Sequence, residues 1–293
     1  MIPYLYLIGA ALAAASVNLC GTLYNKKNVD KRDVTPLYNL LFAISAIVGW
    51  GIIYAFDFSF EPKVLLYSIG FGVFYTIALL GMINAFKTGS ASLTALVVQL
   101  AIIGVSIWGF IFWNVVVTPI TVVGLALVVL CLCFCLYNGK NTEAQEKKIS
   151  GKWLFFATLT FLGNAGCSIV QKYEQIAFEG KHGAQLMVFA MLLTALVCLV
   201  IYCKSDRTDS KQILLSWGWI PPLAGIGNVL LNLFIILMSM TSLSPAVVYP
   251  VVGVGSLMLT TFASVFAFKE KLSRWRWIGI SLGAVATALL SIG

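Results

Sequence analysis

The chain has 293 residues, 60% of them hydrophobic and 10% charged, and its mean hydropathy is +0.95. Soluble domains carry about 25% charged residues, so this composition excludes an ordinary soluble fold and points to an integral membrane protein. The net charge of +8 does not imply nucleic acid, because the basic residues fall in short clusters between apolar runs rather than on one face.

Crossing the hydrocarbon takes about 20 apolar residues, and each charge at the helix centre costs about 2.5–3.5 kcal/mol on the insertion scale. Charge-free runs therefore mark the spans. Ile2 to Tyr24, Val34 to Phe56 and Val64 to Phe86 read as one span each. Thr88 to Gly139 holds two, parted near Trp113 to Pro119. After a hydrophilic joint come Trp153 to Gln171 and Gly183 to Cys203, again one span each. Gln212 to Phe268 holds two, parted at Thr241 to Pro245, and Trp277 to Gly293 is the tenth. The first span lacks a basic lead and is too long for a signal-peptide core, so it is expected to stay as a span. The expected organisation is a first five-helix repeat over 1–137, a charged cytoplasmic linker over 138–152 and a second five-helix repeat over 153–293.

Orientation follows from lysine and arginine. All but three of the 19 basic residues lie in the connections after spans 1, 3, 5, 7 and 9; the three are Lys63, Lys172 and Lys181. Basic residues favour the cytoplasmic side. Both termini are therefore expected outside.

Seven cysteines and one histidine give little chemistry. Cys131, Cys133 and Cys135 alternate, but residues two apart on a helix point to different sides and cannot converge on one metal. They read as apolar filler. No cofactor or metal is expected, and one loop histidine with scattered acids supplies no catalytic constellation, so the chain does not read as an enzyme.

The two halves look like copies. An offset of 146 places Asn18 on Asn164, Thr22 on Ser168, Asn25 on Gln171 and Lys26 on Lys172. Further along, with small insertions, Ser92-Leu93 falls on Ser242-Leu243, Val97-Val98 on Val247-Val248, Gln99 on Tyr249, and Gly124 on Gly279. Five spans per copy is an odd number, so the copies must lie upside down relative to each other. Inverted repeats of this kind build alternating-access transporters, whose site lies between the repeats near mid-membrane. The expected fold is all-α and membrane-integral: ten transmembrane helices as two inverted five-helix repeats around a central cavity.

Three features carry a family resemblance. The joint between spans 3 and 4, Lys87 to Ser92, is nearly loopless and is mirrored at Ser239 to Pro245; the chain closes on Phe268-Lys269-Glu270-Lys271-Leu272-Ser273-Arg274-Trp275-Arg276-Trp277-Ile278-Gly279. Over nearly its whole length the chain resembles the drug/metabolite transporter superfamily, in its EamA-like branch. Val115 stands where the first half should repeat the closing acid. The resemblance implies a basket of ten helices, with spans 1, 3, 4, 6, 8 and 9 lining the cavity and spans 5 and 10 peripheral. The superfamily handles amino acids, sugars, nucleosides, drugs and other metabolites, so the solute is not named by it.

Polar side chains at mid-span should face a partner helix or water. Those candidates for solute contact are Asn18, Tyr75, Gln99, Asn164, Ser168, Asn228, Asn232 and Tyr249. The bland alternative is packing glue, with each interhelical hydrogen bond worth about 0.6–2 kcal/mol. Pro245 and Pro250 bracket Tyr249 and free backbone carbonyls as ligand or hinge, whereas Pro221-Pro222 reads better as a helix start. Gly279 and Gly283 form a Gly-x-x-x-Gly face suited to close contact, within the chain or in a homodimer. Most tryptophans lie toward span ends as interfacial anchors.

No charged residue lies at the middle of a predicted span; only Glu174 or Glu270 could reach inward from an end. Proton-coupled cation efflux needs an embedded carboxylate, and phosphate-bearing solutes need buried bases. Lys26 and Lys172 read as interface markers. The expectation is a transporter in the cell membrane that moves a small neutral or zwitterionic metabolite, by export, as facilitator or exchanger; the alternative is a proton-coupled exporter of organic cations.

Overall fold

The computed structural model describes residues 2–28, 31, 34–56, 58–88, 91–113, 116–136, 150–241, 243, 245–268 and 274–292. Eleven helices and no strand occur among them: α1 (Ile2–Lys27), α2 (Val34–Phe56), α3 (Val64–Thr88), α4 (Ala91–Phe112), α5 (Pro119–Leu136), α6 (Gly151–Ala177), α7 (Gly183–Lys204), α8 (Ser210–Trp217), α9 (Ile220–Ser239), α10 (Pro245–Phe268) and α11 (Arg274–Ile292). Within the described residues, six helices (α1, α2, α3, α6, α7 and α9) are long and apolar enough to cross a membrane. Four shorter apolar stretches lie in α4, α5, α10 and α11.

The outer faces agree. Leu5, Ile8 and Leu12 on α1, Ile44, Val48 and Ile52 on α2, and Leu66, Ile69 and Val73 on α3 are all exposed, at steps of three or four. That step puts each set in one stripe along its helix. Water would penalise apolar stripes on so many helices, and lipid does not. This is an all-helical protein embedded in a membrane.

Local signals set several ends. The Ser150 hydroxyl accepts from the Trp153 N–H at 3.1 Å and caps α6. Pro221 and Pro222 occupy the first turn of α9, where no intrahelical donor is lost. Glu179 and Gly180 take positive φ, 54° and 74°, in the turn from α6 to α7. Gln185 then clamps the connection between α2 and α3: its amide oxygen accepts from Glu61 N–H and its amide nitrogen donates to Glu61 C=O, both at 2.9 Å.

α3 packs most extensively on α6, α5 on α11, α1 on α9 and α2 on α7; α3 also meets α7, α2 meets α9, α4 meets α6, α1 meets α10 and α4 meets α10. Glycine permits the closest of these crossings. A Cβ on Gly163 of α6 would lie 2.6 Å from the Ala78 nitrogen and 2.7 Å from the Phe74 carbonyl oxygen of α3. In the α5–α11 pair a Cβ on Gly124 would lie 2.7 Å from Leu290.

The main apolar core joins α2, α3, α6, α7 and α9 through Trp50, Phe71, Cys167, Met187, Met191 and Ile236. Trp50 departs from the anchoring role expected of span-end tryptophans. It is fully buried, because α3, α7 and α9 surround the end of α2 and leave its ring no route to the interface. Trp219, Trp275 and Trp277 are exposed. Gly283 faces Val254 and Cys131 inside the chain. The joint at 137–149 and the closing segment at 269–273 lie outside the described residues.

Candidate functional site

Where α1, α2 and α3 separate, they enclose an open cavity of about 570 Å³. Its walls repeat at helical steps. Val17, Asn18, Gly21, Thr22 and Asn25 come from α1; Thr35, Tyr38, Asn39 and Phe42 from α2; Tyr75, Leu79 and Met82 from α3. Small ligands occupy pockets of about 300–1,000 Å³, mostly apolar with a few convergent polar groups. This lining fits that description, with amides and hydroxyls as the polar groups among the described residues.

Ring contacts stiffen the wall. Tyr38 stacks on Phe42 with centroids 6.2 Å apart and is met by Tyr24 at 5.0 Å, while Phe71 stacks on Tyr75 at 6.0 Å. The Thr22 hydroxyl is spent on the Asn18 carbonyl at 2.9 Å. The side chains of Asn18 and Asn25 are exposed.

Of the predicted contacts, Asn18 and Tyr75 line this cavity. The others are elsewhere. On α9, Asn228 and Asn232 are buried, and the Asn232 amide donates to the Asn228 backbone carbonyl at 2.9 Å and to its side-chain oxygen at 3.3 Å. On α10, which runs unbroken through Pro250, Tyr249 is buried and its hydroxyl donates to the Ser168 carbonyl of α6 at 3.4 Å. Asn164 is half-buried one turn before Ser168. The side chain of Gln99 lies outside the described residues.

Beside Tyr249 the helices leave a cleft of about 10 Å³, lined by Lys172, Gln175, Ile235, Met238, Ser239, Leu243 and Val248. That is about the space of one water. The structure thus has two polar regions. One is a wide cavity, on α1, α2 and α3; the other is a narrow cleft, between α6, α9 and α10.

Sequence reasoning missed Asn25, Thr35, Tyr38 and Asn39. A signal was present: Thr35, Tyr38, Asn39 and Phe42 are spaced to share one face of α2, and Asn25 lies seven residues after Asn18. They lie nearer the span ends than the mid-span positions from which the candidates come.

No protein-family model matches this chain, and no curated protein matches it. Among solved structures, one crystal structure superimposes over 99% of this chain and 97% of its own, with a TM-score of 0.73 at 16% identity. At that identity the likeness establishes a shared fold over the whole length.

Proposed function

We propose that the protein is a small-solute carrier working by alternating access, built from two inverted five-helix halves in the manner of the EamA-like branch of the drug/metabolite transporters. With α8 set aside, ten helices remain, and exchanging each with its mate five places on maps the most extensive helix contacts onto one another. The pair α3–α6 becomes α9–α1, α3–α7 becomes α9–α2, and α4–α6 becomes α10–α1; α2–α7, α4–α10 and α5–α11 map onto themselves. That is the contact pattern an in-plane twofold demands.

One observation carries the reading. Asn18, Thr22 and Asn25 line the wide cavity, while their repeat mates Asn164, Ser168 and Gln171 are half-buried or buried and line neither that cavity nor the narrow cleft beside Tyr249. Two corresponding polar faces, one beside a wide cavity and one packed against neighbouring helices, are what a carrier with a single open side presents. Asn25 and Thr35 flank the connection bearing Lys26, Lys27, Lys31 and Arg32, so the positive-inside rule makes the open side cytoplasmic and both termini external, in the cell membrane.

A lining of amides, hydroxyls and aromatic rings suits a neutral or zwitterionic metabolite, and export is the direction taken by family analogy. The test is a thermal-shift screen of metabolites on purified protein, then counterflow of each labelled hit in liposomes. Saturable uptake with counterflow supports the carrier. Flux that rises linearly with concentration and shows no counterflow refutes it.

A further inference from the structure

The narrow cleft between α6, α9 and α10 gathers positive charge with nothing to balance it. Lys172 lines it and is half-buried, and no acidic side chain stands among its walls. The nearest acid in sequence, Glu174, shares the helix face of Val170 and Phe178, which meet Gly70 and Tyr67 on α3. Among the described residues, no ion pair or hydrogen bond engages the Lys172 ammonium.

A second observation points the same way. Gln175, one turn after Lys172 on the same face, is 4% exposed, and neither the nitrogen nor the oxygen of its amide has a hydrogen-bond partner. Buried polar atoms are nearly always paired, so this amide waits for something to bind. The two hydroxyls at the cleft are spent: Ser239 donates to the Ile236 carbonyl at 2.7 Å and Tyr249 to the Ser168 carbonyl at 3.4 Å. The donors left for the cleft are an ammonium and an amide N–H. α10 adds to them. It begins at Pro245, and Val248 and Tyr249 in its first turns line the cleft, so the positive end of its dipole lies beside Lys172. A helix start with spare donors around it favours an anion.

We propose that this cleft is the docking point for a carboxylate on the transported solute, with Lys172 as its charge partner and the Gln175 amide as the second donor, an inference that rests on the carrier reading above. A carboxylate offers a single charge and an oxygen to each donor. A phosphate monoester carries about −1.5 to −2 and would leave most of its charge unmatched by a lone base. Room agrees with the smaller group. The cleft of about 10 Å³ holds about one water, and turning the flexible stem of Lys172 clears space for a carboxylate. The repeat supplies a matching cation: Lys172 aligns with Lys26, which follows Asn25 of the wide cavity. A carrier that passes an anionic group from side to side needs a partner for it at both ends, and the repeat places one lysine toward each. The solute is then the zwitterionic metabolite and not the uncharged one.

The test uses the purified full chain in an uncharged maltoside detergent. Ser239→Cys places a thiol in the cleft wall, and its labelling rate with a maleimide, corrected for the chain without that substitution, reports occupancy. Sodium acetate should slow the labelling, while acetamide, and sodium chloride at equal ionic strength, should not. Adding Lys172→Gln should raise the acetate concentration for half-protection by about tenfold or more, and Lys172→Arg should raise it less. If Lys172→Gln does not fold, Gln175→Ala must weaken protection in its place. No protection by acetate, equal protection by acetamide or phosphate, or protection unchanged in the variant that folds overturns the proposal. Failure of the carrier reading looks different: acetate protection persists while every solute lacks counterflow in liposomes. Failure of the docking point alone leaves counterflow intact, with a carboxylate solute and its amide carried equally and Lys172→Gln without effect.

Discussion

Replacing Gly163 with Ala adds one methyl at the contact between the two halves, and the structure sets the outcome. Within a helix, Gly→Ala is worth up to about 1 kcal/mol in favour of Ala. Gly51 on α2 shows that gain unopposed, because nothing lies within 4 Å of a Cβ there. At Gly163 the methyl would meet the Ala78 nitrogen at 2.6 Å, the Phe74 oxygen at 2.7 Å and the Ala78 Cα at 2.8 Å. All three are backbone atoms, so no side-chain rotation relieves the clash and α3 must move off α6. Overpacking of this kind costs about 1–3 kcal/mol. The shift also disturbs Gly81, whose Cβ position lies 2.8–3.0 Å from Thr160 and Phe156, and Gly166, which lies against the Phe74 ring. The helical gain is common to both, so Gly163→Ala should fall about 1–3 kcal/mol below Gly51→Ala. Unfolding of both variants in mixed detergent micelles, followed by circular dichroism, measures the gap. If Gly163→Ala is as stable as Gly51→Ala, the close crossing described here is wrong.

Further outcomes follow from single contacts. Asn232→Ala removes the donor to Asn228 and should cost about 1–3 kcal/mol along with most transport; Tyr249→Ala should also lose transport, while Cys133→Ala, on the exposed face of α5, should leave both unchanged in unfolding and counterflow assays. Equal loss in all three would argue against a transport role for the polar residues of α9 and α10. Gln185→Ala orphans the N–H and C=O of Glu61 and should lower the melting temperature, with a cost of about 1–3 kcal/mol, whereas a surface change such as Lys211→Ala stays within about 0.5 kcal/mol. Gly180→Ala puts a side chain at φ 74° and 3.2 Å from Met240, and should cost at least about 1–2 kcal/mol by the same assay. Glu179 is fully exposed, and its hydrogen bond from Lys181 holds its carboxyl below the usual range. A carbon-13 NMR titration should find its midpoint raised toward the ordinary value in Lys181→Ala.

Most helix positions were legible because charge is excluded from lipid: α1, α2, α3 and α7 follow the charge-free runs closely, and the turn at Thr241 to Pro245 falls between α9 and α10. The same rule hid two elements. α8 sits at the head of the charge-free run from Gln212, and a count of apolar residues does not separate a short amphipathic helix from the span after it. Charge ended span 6 at Gln171 in the reading, yet α6 continues to Ala177. Glu174 and Gln175 in those extra turns are buried, and their burial depends on partners far away in sequence. For the site, periodicity identified which polar residues leave the lipid face but not which enter water: Asn18 and Asn164 read alike, and only packing separates an open wall from a sealed one. The side chain of Gln99 and the joint at 137–149 lie outside the described residues.

The claim that two inverted halves open in turn is tested most directly by paired spin-label distances in liposomes. One pair, Thr22 with Leu79, spans the wide cavity; the other, Gln175 with Ser239, spans the narrow cleft between α6 and α9. On addition of a solute recovered from the thermal-shift screen, the account predicts that the first distance shortens as the second lengthens. Two distances that stay fixed, or that widen together, would contradict it.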